Sequence, residues 1–199
     1  MLEQRIQQQF FESADLLYQA AEPLSSPIAT AAQMLLEGIT SGGRLLCCGQ
    51  GLDEIDARYM TALLIGRFEQ DRPGLAALCL DAQTPGTDSA EAALARQVQA
   101  LGHPGDLLLL IDGPAHDGAP KAWAAVIAAA QAQDMSVIAL TGGVGLLGSV
   151  TDPLRGLLRD TDAQIHVQHS RASRIKETQR LLTHCLCDAV DLQLLGATE

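Results

Sequence analysis

Positive charge is in short supply. Thirteen lysines and arginines face 24 aspartates and glutamates among 199 residues, a net charge of −11. That balance repels phosphate backbones and anionic bilayer surfaces, so neither direct nucleic-acid binding nor a membrane role is expected. The one basic run, His169-Ser170-Arg171-Ala172-Ser173-Arg174-Ile175-Lys176, is short. Long apolar runs are missing as well. Met1-Leu2-Glu3-Gln4-Arg5 opens without a signal core and no stretch is long enough to span a bilayer, which makes the cytoplasm the expected location. An even, spaced set of cysteines is also lacking. Cys47, Cys48, Cys79, Cys185 and Cys187 lie in apolar runs and read as reduced core residues. Neither the adjacent pair nor the pair two apart on a helix aims both sulfurs at one metal. Repeats, low-complexity tracts and linkers are absent from the sequence, so a single domain over residues 1–199 is expected.

What is present is a 47% apolar chain, enough for one substantial core. Residues 2–22 place Ile6, Phe10, Ala14 and Leu17 at helical spacing, and Pro23 is expected to end that helix. A second helix is expected over 26–42, with Ser25 or Ser26 as its cap and Gly42-Gly43 as its stop. Short apolar runs of strand length follow at 44–48, 75–80, 106–111, 136–140 and 164–167. Helical stretches lie between them at 54–70, 88–101, 119–133 and, briefly, 153–159, and a long helix over 173–195 closes the chain. Strand and helix taking turns implies an α/β fold, an open parallel five-stranded sheet flanked by helices on both faces, with two N-terminal helices besides. Those leading helices, residues 1–42, either wrap their own sheet or meet a second subunit.

Two loops carry the candidate chemistry. The one after the first strand reads Gly49-Gln50-Gly51-Leu52-Asp53, and the one after the third reads Asp112-Gly113-Pro114-Ala115-His116-Asp117. In an open parallel sheet both sit at the carboxyl ends of strands, where ligands bind. A glycine loop opening a helix suits an anion, yet acids stand where hydroxyls would be needed and Pro114 lacks an N–H. Two readings of the acids stand side by side. In one, Asp53 is the N-cap of the next helix, Asp56 complements its first turn, and Asp112 and Asp117 cap the helix starting near Pro120. In the other, Asp53, Asp112, His116 and Asp117 converge on a hard cation such as magnesium. His184, beside Leu181 and Cys185 on the last helix, is either a core or interface histidine or a working acid–base.

Several segments in one order resemble a known family. They are Leu46-Cys47-Cys48-Gly49-Gln50-Gly51, Gly66-Arg67-Phe68-Glu69-Gln70-Asp71-Arg72-Pro73-Gly74-Leu75, Ala100-Leu101-Gly102-His103-Pro104-Gly105-Asp106, Ala139-Leu140-Thr141-Gly142, Arg174-Ile175-Lys176-Glu177 and Cys185-Leu186-Cys187-Asp188. Together they resemble the SIS (sugar isomerase) domain proteins of the phosphoheptose isomerase type, over nearly the whole chain. Within that group, the stretches from His184 to Asp191 and around Arg67-Phe68-Glu69 look close to the DnaA initiator-associating proteins, which act in replication initiation.

The resemblance implies a sugar-phosphate pocket at Gly49, Gln50, Gly51, Asp53, Asp112, Gly113, His116 and Asp117, and it exposes departures. The family's serine in the first loop falls on Asp53. Its base glutamate falls on Leu63, a histidine metal ligand on Tyr59, and a glutamine ligand on Lys176, whose ammonium repels zinc; His184 alone matches the catalytic histidine. The reading that follows is a non-catalytic, oligomeric regulatory module without metal or cofactor. It is expected to be a homotetramer that presents Leu194 and Leu195 to a partner such as a replication initiator. The alternative is a phosphoheptose isomerase-like enzyme that converts sedoheptulose 7-phosphate to a heptose 7-phosphate, or a sugar-phosphate-binding protein.

Overall fold

Short apolar strands buried on both faces set the architecture. The computed structural model describes residues 1–83, 85–114, 119–144 and 154–196. β1 (Leu45–Gly49), β2 (Ala77–Cys79), β3 (Leu107–Pro114), β4 (Ser136–Gly142) and β5 (Ala163–Val167) pair in parallel, in the order β2-β1-β3-β4-β5. Successive side chains point to opposite faces. Leu45, Cys47, Leu107, Leu109, Ile111, Ile138 and Leu140 therefore line one face, and Leu46, Cys48, Leu108, Leu110 and Val137 the other. The expected five-stranded α/β sheet is thus found. Its order changes direction between β1 and β3, which opens the crevice for a ligand beyond their carboxyl ends.

Helices α1 (Leu2–Thr40), α2 (Leu52–Ile65) and α5 (Ala172–Leu195) cover the first face, and α3 (Ala90–Leu101) and α4 (Ala119–Ala132) the second. A 3₁₀ turn at Arg155–Leu157 stands where a short helix was expected. Ser89 caps α3 by accepting the Ala92 N–H at 3.2 Å.

The two expected N-terminal helices are one. α1 runs through Pro23 and Pro27, although each proline removes an N–H and crowds the preceding turn at about 3 kcal/mol. Tertiary packing holds the segment helical: Leu24 and Ile28 join the core, and α5 grips the first half of α1. The Arg171 guanidinium pairs with Glu12 and donates to Gln9 Oε1 at 2.7 Å, while Arg174 donates to the Gln9 carbonyl at 2.5 Å. Ser25 does not cap a new helix; its hydroxyl donates back to the Glu22 carbonyl at 2.8 Å. The expected stop is real, with Gly42 at φ +90° just past the last turn. The basic run 169–176 is thus taken up by contacts within the chain.

All five cysteines are free thiols. Burial pushes Cys47 and Cys187 up to about 12 and Cys48 well above its ordinary value, so they are packing residues. Among the described residues no helix is long and apolar enough to cross a membrane.

Candidate functional site

The crevice at the β1/β3 switch point is built on backbone that only small residues fit. β1 ends at Gly49, where a Cβ would lie 2.4 Å from the Asp53 carbonyl carbon, so the chain folds back onto the first turn of α2. Gly51 follows at φ +59° and is the helix N-cap, with no side-chain cap bond. Asp53 is therefore not the cap. It sits in the first turn and reaches across the crevice: its Oδ2 accepts the Gly113 N–H at 2.8 Å, and its Oδ1 pairs with the Lys176 ammonium. Gln50 points the other way, donating to Glu91 Oε1 at 3.2 Å. The Glu91 backbone N–H and the Ser89 hydroxyl, with Gln50 adding, hold the Glu91 carboxyl below the ordinary carboxylate range against its partial burial.

A polar seam runs from this point between α2 and α5. Asp53, Asp56 and Tyr59 are spaced by three on α2, and Lys176, Arg180 and His184 by four on α5, so each set forms a stripe on its helix. The stripes interlock. Lys176 pairs with both Asp53 and Asp56, and Arg180 pairs with Asp56 while its guanidinium stacks 3.9 Å from the Tyr59 ring centre. Tyr59 Oη lies 2.8 Å from His184 Nε2. The Phe68 ring packs 5.6 Å from the imidazole on centroids. Beside the seam, Leu52, Ile55, Asp56, Lys176, Glu177 and Arg180 line an open groove of about 500 Å³.

Two further side chains fix the seam's geometry. Gln179 Nε2 donates to the carbonyls of Asp112 at 3.1 Å and Leu140 at 3.3 Å, which docks α5 on the ends of β3 and β4. Arg72 donates to Asp191 Oδ1 at 2.5 Å and to the carbonyls of Leu64 and Leu63 at 2.8 and 3.1 Å. This buried guanidinium closes the C-terminal end of α2 and ties it to α5.

Of the residues expected in the pocket, Gly49, Gly51, Asp53, Asp112 and Gly113 lie at the crevice, whereas the Gln50 side chain turns away to Glu91. His116 and Asp117 lie outside the described residues. Leu63 packs against the core, and Leu194 and Leu195 are exposed at the end of α5, 36% and 45% accessible. Sequence reasoning missed Asp56 and Arg180 as site residues and missed the pairing of Tyr59 with His184. The i, i+4 stripe of 176, 180 and 184 was the available signal.

The positions at which zinc ligands would be expected do not fit the ion. Lys176 brings its own charge into two carboxylates, and the phenol at Tyr59 is engaged with the Nε2 of His184. Among the described residues no group of three or more His, Cys, Asp or Glu side chains is arranged to hold a metal. The idea of a hard cation at Asp53 meets the same obstacle, since an ammonium is already there.

Comparison with known proteins places this geometry. A family model described as SIS domain matches residues 9–142. A phosphoheptose isomerase of Methylibium petroleiphilum is 51% identical over 203 aligned residues, covering 98% of this chain and 96% of that protein. The solved phosphoheptose isomerase GmhA of Neisseria gonorrhoeae superposes with a TM-score of 0.82 at 32% identity, over 96% of this chain and 99% of that one. A phosphoheptose isomerase structure from Francisella tularensis gives 0.81 at 28% identity, over 96% and 98%.

These relatives overturn the expectation of a non-catalytic regulatory module and favour the enzyme alternative. The physical error was to treat Asp53 as a bare charge facing a phosphate. Its carboxylate is matched by Lys176, and the two acids and two cations of the seam balance. With a matching family model over most of its length and close relatives over nearly all of it, the chain belongs to the SIS domain family.

Proposed function

We propose that the chain is an aldose–ketose isomerase for a sugar phosphate, of the phosphoheptose isomerase kind, in which the Tyr59–His184 pair moves the proton. The carrying observation is the 2.8 Å contact between the phenol and the imidazole, at the one family catalytic position this chain keeps. Isomerisation takes a proton from the carbon beside a carbonyl and returns it to the neighbouring carbon through an enediol. With Nε2 accepting from Tyr59, the phenolic oxygen receives the carbon's proton as its own passes to the ring, and the reverse transfer delivers it to the next carbon. One acid–base unit serves both carbons, while the hydroxyl proton passes between the two adjacent oxygens of the enediol; this answers the loss of a carboxylate at Leu63.

Arg180 supports the same reading. It lies at the groove, is partly exposed, and holds its charge beside the pair by stacking on Tyr59. In this reading it faces the anionic end of the substrate or the enediolate. Desolvation by the Phe68 ring strengthens both interactions.

The test is turnover of sedoheptulose 7-phosphate by purified protein, followed by NMR, with His184→Asn alongside. Turnover that vanishes in the variant supports the proposal; wild-type protein that leaves the ketose unchanged overturns it.

A homotetramer and a cytoplasmic location belong to the same proposal. Leu2, Ile6, Phe10, Phe11 and Tyr18 are exposed along the first half of α1, which suits burial against a second copy. Five free thiols suit a reducing compartment. A monomeric mass by light scattering at micromolar concentration would remove the tetramer.

A further inference from the structure

We infer that Lys176 is the resident cation of this site: its ammonium fills an oxygen-lined cradle, so that the protein works without a bound metal ion and opens to one only when that ammonium is removed. The isomerase proposal enters only through the turnover arm of the test; the binding arms stand apart from it.

An ammonium has three N–H donors. Those of Lys176 meet three oxygen groups, Asp53 Oδ1, Asp56 Oδ2 and Gln179 Oε1, the last at 3.2 Å. No donor is left over for a substrate oxygen, so the residue acts by position and charge. The cradle is also preset from behind. Asp53 Oδ2 is held by the Gly113 N–H at 2.8 Å, Asp56 Oδ1 by Arg180, and the Gln179 amide nitrogen by the Asp112 and Leu140 carbonyls. All three oxygens are thereby aimed at one point, and two carboxylates with an amide oxygen are a ligand set for a hard cation. The side chains are largely buried, with Asp53 at 16%, Asp56 at 8% and Lys176 at 21% accessible, so a divalent ion would have to displace a paired charge from a partly dry site. The cradle also pins the carboxyl end of β3 to α2 and α5.

The experiment is calorimetric titration of Mn²⁺ into wild type, Lys176→Ala and Lys176→Met, each checked for folding by circular dichroism. Wild type is expected to show no saturable binding up to about 1 mM, whereas Lys176→Ala binds one Mn²⁺ at least about tenfold more tightly than that limit. Lys176→Met, which fills the space without ligating a hard ion, binds none. If Lys176→Ala does not fold, Lys176→Ser leaves similar space and serves in its place. One-site binding by wild type as tight as by the alanine variant overturns the inference, as does a folded alanine or serine variant with no gain. Turnover, where present, is expected to survive EDTA, and turnover lost to EDTA and restored by metal overturns the inference too. Absence of turnover under every condition counts against the isomerase alone, and the Mn²⁺ titrations still decide the cradle.

Discussion

The two faces of the sheet are made from neighbouring residues of the same strands, yet they are covered in different ways. Leu46, Cys48, Leu108 and Leu110 meet α3 and α4 through Leu94, Val98, Trp123, Val126 and Ile127, and none of the buried polar side chains among the described residues lies on those two helices. One residue over, Cys47, Leu109 and Ile111 meet α2 and α5, where Asp56, Thr61, Arg174, Thr178, Gln179, Thr183 and Asp191 are all buried. Burying such groups costs free energy unless each finds a partner. The apolar face is the inexpensive way to cover a sheet, so polar burial on the opposite face marks where the fold has been bent to chemistry. The difference teaches that the α2/α5 side is where substitutions should separate turnover from stability.

The sharpest test of that difference is His184→Asn, an exchange of similar size. It is expected to lower turnover about 10²–10⁴-fold, the usual worth of a positioned acid–base, with an unfolding transition close to wild type. Loss of stability without a selective loss of turnover would make His184 a packing residue and erase the distinction. Next in size is Arg72→Met. It strands Asp191, whose Oδ2 already has no partner, and uncaps the end of α2. Urea denaturation should show about 3–5 kcal/mol of destabilisation, with turnover falling as well because α2 loosens against α5. On the apolar face, Leu94→Ala should cost about 2–5 kcal/mol and leave turnover of the folded protein unchanged. A matching fall in turnover there would show that the faces do not divide the labour.

The sheet and its crevice were legible in the sequence because β1, β3 and β4 are each built on a run of four or five apolar residues between turn signals, a pattern local in the chain. The continuity of α1 was not. Pro23 is a strong local stop, and the contacts that override it come from Arg171 and Arg174, more than 150 residues from the Gln9 and Glu12 they hold. The site was half legible for the same reason. Tyr59, Lys176, Asp53 and His184 were each picked out by position, but as isolated departures from a pattern. Their meaning lies in pairings across 123 and 125 residues, Lys176 with Asp53 and Tyr59 with His184, which turn apparent losses into one connected seam.

The smallest expected effect tests whether polar burial signals chemistry only on the α2/α5 side. Asp106, 3% accessible, is buried at the amino end of β3, away from the crevice. Its Oδ1 accepts the Arg44 backbone N–H at 2.8 Å, and its Oδ2 accepts from the Arg44 guanidinium at 2.8 Å and the His103 N–H at 3.1 Å. Burial by itself would raise this carboxyl; the Arg44 side chain and the two backbone donors together outweigh it and hold it below its ordinary value. A carboxyl depressed in the folded state binds its proton more readily once unfolded. Its contribution is therefore complete above the unfolded value, about pH 4, and is lost as pH falls through the lower folded value. Arg44 is 39% exposed, so solvent screens part of the ion pair. Asp106→Asn should cost about 1–3 kcal/mol at pH 7, and the gap to wild type should narrow toward pH 3. Turnover at pH 7 should not change, because the lock sits at the opposite end of the strands from Gly49 and Gly113. A gap that is equal at both pH values would mean that the carboxylate charge contributes nothing there, and a fall in turnover would mean that this end of the sheet shares in the site.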